Sequence, residues 1–126
     1  MNLMFDTSIL IEIQEKNQAV INKVEELKKI YPGHPKVPFI SYVEFVGGLK
    51  EKSIKNKQIL YTFIESFEFM PVKKGDANAL ILLQDKYEFP INDLLIAAQV
   101  LENDGILITK DRDFKDIEEI EKIILE

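Results

Sequence analysis

The chain has 126 residues, 46% apolar and 30% charged, with five Gly and five Pro; this is the balance of one globular domain, not of a disordered or fibrous chain. It holds no cysteine and a single histidine, His34, which excludes disulfides, thiolate nucleophiles, Cys-ligated metals and any mechanism that pairs two imidazoles. Sixteen basic against 22 acidic residues give a net charge of −6, which disfavours nonspecific attraction to nucleic acid. In chain order, Asn2–Phe5 reads as a short apolar strand stopping at Asp6. Thr7 to Glu15 is a short helix that Asp6, Thr7 or Ser8 can cap. Val20, Val24, Leu27 and Tyr31 recur at helical spacing from Asn17 to Ile30, and Tyr31–Pro35 is a breaker-rich loop. Val37–Ile40 is a short strand, with Pro38 placing it at a strand start. Ser41 and Glu44 then match a capping box that opens the next helix, striped by Tyr42, Phe45, Val46 and Leu49.

Further along, Ile54–Ser66 reads as a helix burying Leu60, Phe63 and Phe67, and Phe67–Val72 as a strand closed by Pro71. Residues 75–88 give a helix with Ala77, Leu80, Leu83 and Tyr87 in register. Pro90–Asp93 starts the most apolar helix, running through Leu94 to Leu101 and ended by Asp104-Gly105. Ile106–Thr109 is a buried-type strand, and Ile120–Leu125 an edge strand. The apolar runs of the chain fall short of the ~20 residues of a membrane span and no secretory leader is visible, so a cytoplasmic protein without membrane contact is expected. No repeat or linker divides residues 1–126, which reads as a single domain. Alternating strands and helices predict an α/β fold with a largely parallel sheet and helices on both faces.

In such sheets the functional site lies at the carboxyl ends of the strands. Asp6 follows the first strand, Asp111 comes two residues after the strand ending at Thr109, and Glu44 lies in the first turn of the helix leaving the second strand. Asp93 begins the helix that feeds the fourth strand, so its helix N-terminus returns to the same edge. Each acid singly has an ordinary explanation. Asp6 can cap a helix, Glu44 can close a capping box, Asp93 can answer a helix dipole, and Asp111 can be a turn residue. Those explanations do not account for four acids converging on one edge. Carboxylates held together repel, and one or more protonates unless a cation neutralises them. Oxygen-only ligands suit Mg²⁺ or Mn²⁺, and carboxylate-bound magnesium can deliver water to a phosphodiester.

These residues also form an ordered set. Met4-Phe5-Asp6-Thr7-Ser8-Ile9-Leu10, Ser41-Tyr42-Val43-Glu44, Asn92–Ala98 and Thr109-Lys110-Asp111-Arg112-Asp113-Phe114 resemble the four motifs of PIN-domain ribonucleases, most closely the VapC-type toxins of toxin–antitoxin pairs. The resemblance spans essentially the whole chain. It implies a three-layer α/β/α fold, Mg²⁺- or Mn²⁺-dependent cleavage of RNA, a homodimer, and a cognate antitoxin protein. Carried over by position, it makes Asp6, Glu44, Asp93 and Asp111 the catalytic metal-site acids. Asp113 is an alternative or additional ligand, and Thr7 and Thr109 are supporting hydroxyls. Lys110 stands where many relatives carry Asn, a departure that alters phosphate contacts without removing a ligand.

Lys50–Lys57, net +3 over eight residues, is the best candidate for contact with an RNA backbone, although a solvated helix junction explains it equally. Tyr31, Tyr42, Tyr61 and Tyr87 fall at helical positions where packing is the default, and His34 reads as a surface residue. Apolar positions in the helices at 17–31 and 54–66 point to a homodimer. Competing readings are a PIN nuclease of RNA processing, an inactive PIN-fold module binding RNA or protein, and a Mg²⁺ phosphatase or receiver. The last needs an acidic pair after its first strand, which is absent.

Overall fold

The computed structural model describes residues 1–126. Five strands, β1 (Asn2–Phe5), β2 (Lys36–Pro38), β3 (Glu68–Met70), β4 (Gly105–Thr109) and β5 (Glu121–Ile124), form one sheet in the order β3-β2-β1-β4-β5. All four pairings are parallel. The sheet carries α1 (Thr7–Gln14), α2 (Gln18–Ile30), α3 (Phe39–Gly47), α4 (Ile54–Glu65), α5 (Lys74–Lys86) and α6 (Ile91–Glu102), with a 3-10 turn at Arg112–Asp116.

Strand alternation sorts the core onto two faces. Leu3 and Phe5 of β1, with Ile106 and Ile108 of β4, join Ile9, Leu10, Val20, Val24, Leu27, Phe45, Leu60 and Ile64 in one cluster. Met4 and Leu107 point the other way, into Met70, Ala79, Leu83, Leu94, Ala97, Ala98 and Phe114. Helices α1–α4 therefore cover one face and α5–α6 the other, a three-layer α/β/α arrangement. No helix is long and apolar enough to cross a membrane.

Local chemistry explains most boundaries. Asp6, Asn17 and Ser53 each accept from the backbone N–H three residues on, capping α1, α2 and α4. The chain turns from α6 into β4 through Asp104, at φ 50°, a left-handed conformation that Asp tolerates better than most residues. Gly105 opens β4 because a Cβ there would meet the Met4 thioether at 2.5 Å.

Three expectations fail. The second strand ends at Pro38 rather than Ile40, and α3 begins at Phe39. No capping box forms: Ser41 lies inside the helix, fully buried, and its hydroxyl has no hydrogen-bond partner. The cap comes instead from α6, where buried Gln99 accepts from the Phe39 N–H at 2.8 Å and donates to the carbonyls of Met70 and Pro71 at 3.1 and 3.3 Å. In α5, Leu80, Leu83 and Tyr87 pack on the core as expected, but Ala77 is exposed, and Asp76 and Ala79 are buried instead. Asp76 can face inward because its oxygens accept from the Lys73 N–H at 2.8 Å and the Asn103 amide at 3.0 Å.

Gln99 thus ties α3, β3 and α6 together. Gln99→Leu keeps the volume but takes their side-chain partner from one backbone N–H and two carbonyls, a loss of at least about 2 kcal/mol. Urea unfolding should show the lower midpoint; a change under about 0.5 kcal/mol would show that neither group depends on it.

Candidate metal centre

The chain leaves β1 toward β2 and β3 on one side and later returns to β4 and β5 on the other. The crevice between the carboxyl ends of β1 and β4 is therefore the topological switch point, where such sheets bind ligands. Asp6 and Asp111 flank it.

Asp6 is the anchor. Its Oδ1 accepts from the Ser8 hydroxyl at 2.6 Å and the Ile9 N–H at 3.3 Å, and its Oδ2 accepts from the Thr109 hydroxyl. Both hydroxyls also accept, Ser8 from the Lys110 N–H at 3.0 Å and Thr109 from the Asp111 N–H at 2.9 Å. One carboxylate thereby pins the loop after β4 to the start of α1. Only 5% exposed, Asp6 has its pKa raised by burial, against the pull of Ser8, Thr109 and Ile9 and with a further push from the charge of Asp111.

Above this anchor, carboxylate oxygens of Asp93, Asp111 and Asp113 lie within 4.8 Å of one another. Asp93 stands in the first turn of α6. Asp111 opens the 3-10 turn, its Oδ1 accepting from the Asp113 N–H at 2.9 Å. The pKa of Asp93 is pushed up, first by burial and then by Asp111, Asp113, Glu44 and Asp6. All five acids thus share one field. Glu44, exposed on α3, accepts from the Thr7 hydroxyl at 3.0 Å, so Thr7 and Thr109 both hold carboxylates. The structure brings Asp93, Asp111 and Asp113 into one cluster, with Asp6 beneath it and Glu44 at its margin. The donor set is all oxygen and crowded with negative charge, which fits a hard divalent cation.

Two participants lacked a sequence signal. Ser8 looked like one of three interchangeable caps. Glu12 accepts from Lys110 Nζ at 3.2 Å through Oε1 and from the Asn17 amide at 2.6 Å through Oε2, so the Lys110 ammonium is a second tether of the β4 loop to α1. His34 is exposed in its loop.

A family model described as PIN domain matches residues 3–120. No curated protein matches the chain. Among solved structures, a chain of VapBC2 from Rickettsia felis, bound to a DNA fragment from their promoter, superposes with a TM-score of 0.82 at 22% identity, covering 100% of both chains. A toxin–antitoxin complex from Klebsiella pneumoniae gives 0.79 at 21%, covering 97% of this chain and 96% of that one. VapBC-1 from nontypeable Haemophilus influenzae gives 0.78 at 20%, covering 98% of each.

Neutralising the outer acids separates a charge cluster from ordinary caps. Glu44→Gln keeps an acceptor for Thr7, and Asp93→Asn breaks no side-chain hydrogen bond, so neither should destabilise the metal-free protein. The folded state holds a proton on Asp93 at higher pH than the unfolded chain does. The stability this gives is present at acid pH and is lost as pH rises through the folded pKa. Asp93→Asn should therefore gain on wild type as pH climbs above the ordinary Asp value of about 4. Added Mg²⁺ should raise the Tm of wild type more than that of either variant, since only a ligand of the folded state stabilises it. Equal Mg²⁺ responses in thermal melts would mean that these acids hold no ion.

Proposed function

Because the chain belongs to the PIN-domain family, we propose that it is a toxin-type nuclease, a Mg²⁺- or Mn²⁺-dependent endoribonuclease of the cytoplasm restrained by a cognate antitoxin protein. The observation that carries this reading is the junction of Asp93, Asp111 and Asp113 with Asp6 and Glu44 at the switch point of the sheet. Asp93, Asp111 and Asp113 would hold the ion, with Asp6 and Glu44 completing the charge around it. When bound, such an ion neutralises phosphate charge and lowers the pKa of a coordinated water.

The chain's own residues set the geometry. Asp6, through Ser8 and Thr109, fixes the backbone that presents Asp111 and Asp113. Glu12 and Lys110 brace the same loop from its outer side. Glu44, held by one donor, keeps lone pairs free to accept a proton from water. The N-terminus of α6 beside Asp93 adds partial positive charge where a phosphate would approach.

Likeness to chains of VapBC complexes supports the antitoxin. For the homodimer, α2 offers little, because Val20, Val24 and Leu27 are buried within the protomer. Exposed Ile54 and Ile59 on α4, and Ile81 and Leu82 on α5, are better placed to pair two copies.

Purified protein should cleave single-stranded RNA with Mg²⁺ or Mn²⁺ and stop when EDTA is added. Asp93→Asn and Glu44→Gln should each lose most of that activity. Undiminished cleavage in excess EDTA, with contaminating nuclease excluded, would refute the metal mechanism. Sedimentation should report a dimer at micromolar concentration; a monomer at high micromolar concentration would refute the pairing.

A further inference from the structure

A cluster of five acids in a chain of net −6 repels the phosphates it is read to cleave. Bulk salt screens charges beyond about 8 Å, so cations that help must border the site. Lys50, Lys52, Lys55 and Lys57 surround the turn between α3 and α4, all exposed except half-buried Lys57. None of them pairs with a carboxylate; Lys16, Lys29, Lys73, Lys74, Lys115 and Lys122 are also unpaired, but only this turn gathers four such lysines within eight residues.

Their placement follows the surface relief. A groove of about 200 Å³ starts at Thr7 and Glu44, on the margin of the acid cluster, and passes Ile11 and Leu49 to reach Lys52. On the far side of Leu49 a second recess takes in Lys50 and Lys57. Unpaired ammonium groups therefore stand beside a groove that reaches the margin of the acid cluster at Glu44, with Glu15 the one other carboxylate on its wall. Lysine suits this task as a flexible point charge that follows a backbone without reading bases. Positive grooves tracking the phosphates are how proteins hold single strands without sequence preference.

We propose that Lys50, Lys52 and Lys57 form a phosphate track that holds single-stranded RNA across this groove and the adjoining recess and feeds one phosphodiester to the acid cluster. The track rests on the nuclease reading for its purpose but not for its existence, since it binds RNA whether or not cleavage follows.

The test compares wild type with Lys50→Gln/Lys52→Gln/Lys57→Gln and with Lys23→Gln/Lys28→Gln/Lys29→Gln on α2, a remote triple with the same net charge. Circular dichroism melts confirm that all three fold. Anisotropy of a fluorescein-labelled 12-nucleotide RNA, titrated in EDTA from 20 to 150 mM salt, reads binding alone. The groove triple should weaken binding about tenfold at the low-salt end, and its slope of log Kd against log salt should fall by about 2, at ~0.7 for each phosphate no longer neutralised. The remote triple should stay within about twofold on the same footing. With Mg²⁺ or Mn²⁺, the groove triple should raise KM in parallel while kcat stays near wild type.

Equal weakening by both triples would reduce the effect to overall charge and overturn the track. So would a wild type that does not bind RNA, or an unchanged groove triple, the result expected if these lysines face a protein partner. Cleavage with unchanged KM in the groove triple removes the track and leaves the nuclease. Lysine-dependent binding without cleavage in either metal removes the nuclease and leaves the track.

Discussion

The structure turns on one buried carboxylate at the end of a parallel strand pair. β1 and β4 run in register from Asn2 against Gly105 to Phe5 against Ile108, so the next residues, Asp6 and Thr109, meet although 103 positions separate them. A nearly buried acid would be costly if unpaired. Here three donors on two oxygens satisfy it, and two of those donors relay the connection into the backbone of the β4 loop. The crevice at the switch point is therefore held shut at its floor and open at its rim. Everything chemical sits on that rim.

The rim itself is a standing electrostatic strain. Asp93 is pushed toward its protonated form by burial and by four neighbouring acids. Stability alone would favour replacing some of these residues, and sites that break the general rules of folding are where function concentrates. The strain is also local: beyond the groove, the α3–α4 turn carries the opposite sign.

Much of this was legible in the sequence, for identifiable reasons. β1 and β4 announce themselves because Leu3-Met4-Phe5 and Ile106-Leu107-Ile108 are apolar on both faces, as the centre of a parallel sheet requires. The convergence of Asp6, Glu44, Asp93 and Asp111 follows from strand order alone. The start of α3 does not, because its cap is supplied by Gln99, 60 residues away. A search for local Ser, Thr or Asp caps settles on Ser41 and is misled. Leu80, Leu83 and Tyr87 mark the inward face of α5, but its first turn escapes the pattern because Asp76 looks like a surface acid until Lys73 and Asn103 are seen to satisfy it. The ordinary and functional readings of the acids also proved compatible. Asp6 caps α1 and Asp111 caps the 3-10 turn, and each does so while facing the crevice.

That double duty bears on how such a protein can decay over generations. A lineage released from selection for catalysis could shed Asp93 or Asp113 freely, because neither side chain supports a neighbour by hydrogen bonding. Asp6 is different. An asparagine there would turn one of its two acceptors into a donor, leaving the Ser8 or the Thr109 hydroxyl without the acceptor its proton now has. The acid nearest the start of the chain would thus outlast the activity, kept by folding after chemistry had gone. In a distant homologue, an aspartate after the first strand would record the demands of folding, whereas the outer acids would report on the metal site proposed above.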